Sequence, residues 1–170
     1  MEEKKILEIF PIFTDQALDS EKVLEFYDYL IVAPYDHWPN ENEYDEISRL
    51  ISDVENLENK EFKNRLRLFY KYFEKYLKYS CKEIDIDERL VEENEIFQIL
   101  ITEDYVQRVE CALKEIQMIK LFIPELSCIL WSGYDFACIV LPRKASDKEW
   151  LYKVAEICNL HILEKAISDF

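Results

Sequence analysis

Glycine occurs once in this 170-residue chain, at Gly133. A phosphate-binding loop, a dinucleotide fingerprint and a kinase glycine-rich loop each need several glycines where backbone amides close on a ligand, so all three are excluded together. No G-x-S-x-G elbow occurs, and Ser132-Gly133 reads as a turn. The two histidines, His37 and His161, lack an HExxH or H-x-H context and read as a loop residue and a strand residue, so no metal site is expected. Cys81, Cys111, Cys128, Cys138 and Cys158 are odd in number and show no C-x-x-C spacing. They fall mostly at apolar-face positions and read as small hydrophobes in a reducing cytoplasm. Long apolar runs are missing too: no stretch of about eighteen apolar residues exists. The opening segment, MEEKKILEIFPIFTDQ, is broken by Glu8 and Pro11, so a soluble, unexported, cytoplasmic protein is expected. Carboxylate pairs such as Glu92-Glu93 or Asp85-Asp87 follow from composition alone. Neither catalysis nor a cofactor is therefore expected.

Positive charge is scarce as well, and unevenly placed. The chain holds 36 acidic and 21 basic residues, a net charge of −15. Residues 1–59 carry 16 acids against 4 bases, residues 60–82 carry 2 against 8, and residues 83–110 carry 10 against 2. One basic segment thus lies inside an acidic protein. The overall field is wrong for a nonspecific nucleic-acid binder or for an anionic membrane surface, and right for a basic partner.

What the chain has is apolar and aromatic content, 49% and 14%. That excludes disorder, and the small number of glycines and prolines leaves little room for linkers, so residues 1–170 read as a single domain. The segment 124–142 reads as paired strands, Leu126 to Trp131 and Tyr134 to Leu141, around a Ser132-Gly133 turn with Gly133 at a positive backbone angle. A two-residue loop places Trp131 opposite Tyr134 and Ile129 opposite Phe136. The hairpin's apolar faces predict a central position covered on both sides.

Helical spacing is expected over Lys4 to Phe13, over Glu21 to Val32 after a Ser20 cap, and from about Asn42 through Ile47, Leu50, Ile51 and Val54. The clearest helix is 60–80, with Phe62, Leu66, Phe69, Phe73 and Tyr76 on one face. After an Ile84 to Asp87 connection, Glu88 to Ile101 reads as helix, and Thr102 caps another carrying Tyr105, Val109, Ala112, Ile116 and Ile119. Ser146 to Glu149 has the form of a capping box before a last helix. Asn159 suits its end, and Leu160 to Leu163 suits a third strand. The expected fold is α+β: residues 1–122 mainly helical, packed with a small sheet built on the central hairpin, and residues 123–170 a ββαβ unit.

Two surfaces qualify for binding. The first runs Tyr35-Asp36-His37-Trp38 into Glu41, Glu43, Tyr44, Asp45 and Glu46. Here Tyr35, Trp38 and Tyr44 serve as aromatic anchors, while Asp36, Glu41, Glu43, Asp45 and Glu46 steer a basic partner. Against this stands a solvated helix start with Trp38 tucked into the core. The second is the Lys/Arg/Tyr face of 60–82, which in composition suits phosphates and stacked bases. Neutralisation by the acidic helices beside it in sequence is the preferred reading there.

Small size, acidity, absence of catalytic motifs and aromatics set among carboxylates together resemble bacterial toxin-immunity proteins, including those paired with contact-dependent growth inhibition toxins. The resemblance is one of overall character, without a specific motif. It implies tight occlusion of a basic toxin domain, commonly a nuclease. Separately, a monomer or weak homodimer is expected. The other readings are a DNA-mimic antagonist, a structural adaptor, or an enzyme of unfamiliar type.

Overall fold

Short runs of Val, Ile, Leu and Phe occur in more places than one hairpin requires, and they meet in one antiparallel sheet. The computed structural model describes residues 27–76, 82–83, 97–98, 102–133 and 135–163. Among these, the strands are β1 (Leu30–Ala33), β2 (Lys82–Glu83), β3 (Phe97–Gln98), β4 (Lys120–Ile123), β5 (Cys128–Ser132), β6 (Cys138–Pro142) and β7 (His161–Leu163). Their order across the sheet is β3-β2-β4-β5-β6-β1-β7. The helices are α1 (Glu41–Ser52), α2 (Leu57–Glu74), α3 (Thr102–Leu113) and α4 (Ala145–Ile157). The fold is α+β, with a central hairpin and a C-terminal strand-helix-strand region, and β5 stands in the middle of the sheet.

Both faces of the sheet are apolar because alternate residues point to opposite sides. One face presents Leu30, Val32, Leu121, Ile123, Leu130 and Val140 to Leu66, Phe69 and Phe73 of α2, Val109 and Ala112 of α3, and Leu151 and Val154 of α4. The other face carries Ile31, Ala33, Phe122, Ile129, Trp131 and Leu141, also buried. Tyr105 secures α3 to α2 by donating its hydroxyl proton to the Tyr70 carbonyl at 2.8 Å inside the core. Cys128, Cys138 and Cys158 are buried and Cys111 partly so, each a thiol and not half of a disulfide. Burial pushes the Cys138 thiol up to about 12 and the Cys158 thiol up to about 11, so neither ionises near neutrality. Among the described residues no helix is long and apolar enough to cross a membrane.

Several elements differ from the sequence expectation. Leu30–Ala33, assigned to a helix, is β1, inserted between β6 and β7 with Ile31 facing Ile139 and Leu163. Phe97–Gln98 and Lys120–Ile123 are likewise strands. Among the described residues, the region up to residue 123, expected to be mainly helical through 122, therefore contributes four strands. Expected helix α3 stops at Leu113, Glu115 takes a left-handed backbone (φ 55), and Ile116 is 72% exposed instead of facing the core.

The hairpin is shifted: Trp131 pairs with Ile139 and Ile129 with Leu141, leaving a five-residue loop, 133–137. Ser132 cannot serve as the turn because it is locked into the sheet. Its N–H donates to the Ile119 carbonyl at 2.9 Å, and its Oγ accepts from the Ile119 N–H at 2.7 Å. The left-handed positions are Asp135 and Phe136 (φ 56 and 58), and Gly133 is not among them.

Lys144 stands at the N-cap of α4, so the Ser146 to Glu149 capping box does not form; Ser146 Oγ donates to Asp147 instead. Asn159, with φ 54, ends α4 as expected. The expected helix at Lys4 to Phe13, the stretch from Ser20 to Phe26, Cys81, the Ile84 to Asp87 connection and most of Glu88 to Ile101 lie outside the described residues.

Candidate functional site

β1 leaves the sheet at Ala33, where its neighbour Val32 faces Cys138 at the start of β6. The chain after β1 and the hairpin loop 133–137 therefore meet at one end of the sheet. Tyr35 makes the junction: its hydroxyl donates to the Asp135 carbonyl at 3.1 Å. The Asp135 N–H in turn donates to Glu115 Oε1 at 2.9 Å. Burial holds the Tyr35 phenol well above the usual tyrosine range, with the Asp135 and Tyr44 charges adding to it. Burial also raises Asp135, and burial followed by the Asp135 charge raises Tyr44. Asp135 belongs to this site, although the sequence sets it in the expected strand Tyr134 to Leu141, next to the turn, with no sign of these partners.

Asn40 starts α1. Its extended backbone lets Oδ1 accept from the N–H groups of Asn42 (3.1 Å) and Glu43 (3.2 Å), while Glu43 Oε2 accepts from the Asn40 N–H at 2.8 Å. This reciprocal cap fixes the Glu43 side chain. Its other oxygen meets His37 Nε2 at 3.0 Å, and His37 Nδ1 meets Asp36 Oδ1 at 2.8 Å. Carboxylates only accept, so both contacts are hydrogen bonds when both ring nitrogens carry protons. The bonds to Asp36 and then Glu43 accordingly raise the His37 pKa. Asp36 is lowered mainly by His37, and Glu43 by the Asn40 amide and then His37. The loop is thus clasped to the first turn of α1 by an ionic bridge.

Trp38 is not tucked into the core. It is 46% exposed and stands edge-on to Tyr44, ring centres 6.4 Å apart and planes at 74°. Tyr35, Asp36, Trp38, Glu43 and Tyr44 therefore converge, with Tyr35 and Tyr44 half-buried and Trp38 outward. Glu41, Asp45 and Glu46 are exposed along α1, which has no fully buried residue and touches the core only through Ile47, Leu50 and Ile51.

Beside this cluster lies a cleft of about 430 Å³ between the loop, α1 and the start of α2. Its lining includes Tyr35, His37, Glu43 and Glu46, together with Arg49, Leu50, Asp53, Asn56, Glu58 and Phe62. The contribution from 53–62 was not anticipated. Asn56 followed by Glu58 is a readable helix start, and the Asn56 side chain does accept from the Glu58 N–H at 2.8 Å.

Among the described residues, several cations of the second candidate surface are engaged within the fold. Arg67 makes a two-pronged pair with Glu110 of α3 at 2.5 and 3.0 Å, Arg65 pairs with Glu61, and Lys60 reaches Glu55 at 2.8 Å. Lys75 lies over the rings of Tyr76 and Trp150. Compared with known protein families, curated proteins and solved structures, the chain matches none.

Proposed function

We propose that the protein is a non-catalytic binding protein that neutralises a basic protein partner. It acts in the cytoplasm as an immunity protein occluding a bacterial toxin domain, of the kind found in contact-dependent growth inhibition. The observation that carries this reading is Trp38, an indole 46% exposed and edge-on to Tyr44, in a segment that also carries Asp36, Glu41, Glu43, Asp45 and Glu46. Large aromatics supply most of the binding energy at interfaces, and surrounding acids select and orient a cationic partner. A nuclease domain fits this description, because its own site must be positive to hold nucleic acid.

The test is capture of the partner from the source cell with wild-type and Trp38→Ala baits. Because Trp38 is nearly half exposed and packs edge-on to Tyr44, its truncation should cost about 1 kcal/mol of folding stability and leave the protein folded. As a buried anchor of the complex it should cost about 2 kcal/mol or more of binding, read as faster dissociation. Equal affinity of the two baits, or unfolding of Trp38→Ala, would count against the site.

A further inference from the structure

The cleft between α1 and α2 combines an apolar floor with an anionic rim. Tyr35, Ile47, Leu50 and Phe62 supply the floor, and Glu46, Asp53 and Glu58 supply the rim. Glu43 is committed to the Asn40 cap and to His37. Glu46 and Glu58, by contrast, have no cation within ion-pair distance among the described residues. Arg49 also lines the cleft, leaving three carboxylates against one guanidinium once the Glu43–His37 pair is set aside. The end of α1 favours a cation and the start of α2 an anion, so the helix dipoles oppose one another and the side-chain charges decide.

We propose that this cleft receives an arginine side chain of the partner. The inference rests on the function proposed above and names the contact that a basic partner makes. An arginine has an apolar stem that lies along Ile47, Leu50 and Phe62, and a planar cation that pairs with Glu46, Asp53 and Glu58 in two-pronged fashion. Lysine has a compact, strongly hydrated charge and gains less from ring faces and forked carboxylates. The volume, about 430 Å³, lies within the roughly 300–1,000 Å³ of ordinary ligand sites, which is ample for one side chain and its hydration.

The experiment is an amide NMR titration of the full chain with blocked arginine (N-acetyl, N-methylamide), and with the equivalent lysine and citrulline compounds. Arginine should shift amides around Glu46, Leu50, Asp53 and Phe62, and neutral citrulline of the same shape should bind roughly tenfold more weakly. The Glu46→Gln/Glu58→Gln protein should weaken arginine by a similar factor with its remaining spectrum unchanged, whereas Glu156→Gln, exposed on α4 and outside the cleft, should bind arginine as wild type does. Citrulline equal to arginine, or arginine shifts spread over the whole acidic surface, overturns the proposal. Full-affinity partner capture by Glu46→Gln/Glu58→Gln also overturns it while leaving the Trp38-centred function standing.

Discussion

A Cβ at Gly133 would stand 3.1 Å from the Ala137 carbonyl oxygen, the same oxygen that accepts the Gly133 N–H at 2.8 Å. Close approach, not a left-handed backbone, is why this position lacks a side chain. Gly133→Ala should lower stability by about 1 kcal/mol, since the added atom meets backbone that cannot yield without stretching the hydrogen bond closing the loop. Denaturant unfolding checks this, and an unchanged midpoint would refute the close-contact explanation. Phe136 bears the left-handed strain instead, held by burial of its ring against Phe62, centres 5.5 Å apart.

His37 carries a pH dependence. Its folded-state pKa is raised from 6.5, so the clasp's contribution is complete below about that value and is lost as pH rises through the higher folded pKa. Asp36 and Glu43 are lowered, so their share is present above their usual carboxylate range and is lost as pH falls through the lowered values. The loop is therefore most firmly clasped between about pH 4.5 and 6.5. Imidazole NMR should give a His37 pKa above 6.5 that falls when Glu43 is replaced by Gln. A value at or below 6.5 would mean that the bridge does not form.

At the level of elements, α1 depends on Asn59, which is buried and donates its amide to the Leu50 carbonyl at 2.5 Å and the Ile51 carbonyl at 3.1 Å. These are carbonyls at the end of α1 that a helix cannot satisfy internally. Asn59→Ala should cost about 1–3 kcal/mol through the unmet acceptors. It should also weaken partner binding, because α1 carries most of the site; thermal unfolding and the capture assay read the two effects. A loss of stability without any change in binding would detach α1 from the interface.

The helices α2, α3 and α4 were legible because Phe, Leu, Tyr and Val recur on one face, and Leu66, Phe69, Phe73, Tyr105, Val109, Leu151 and Val154 are indeed buried. β1 was obscured because Tyr27, Leu30 and Ile31 also fit a helical spacing. The β-branched Ile31-Val32 before Pro34 was the competing signal, and sheet pairing on both sides decided in its favour. β4 was missed for a similar reason: Ile119 completes a helical stripe on paper. Its backbone is instead bonded to Ser132, a contact that depends on residues 13 apart.

For the molecule as a whole, the aromatic-acidic segment could be found from local sequence because loop, cap and first turn are contiguous. Asp135 and the wall at 53–62 could not, since β1 pairing with β6 and the Asn59 tie create those proximities. Charge acts at this scale too: Lys60, Arg65 and Arg67 of α2 pair with Glu55, Glu61 and Glu110, and under the proposed function Glu41, Asp45 and Glu46 of α1 supply the acidic surface that meets the partner. The measurement that addresses this most directly is the association rate of the captured partner across ionic strength, for wild-type and Glu41→Lys/Asp45→Lys proteins. The account predicts that the wild-type rate falls steeply with salt, and that the variant associates on the order of tenfold more slowly at low salt with a shallower dependence. A wild-type rate that is indifferent to salt, or one that rises with it, would contradict the account.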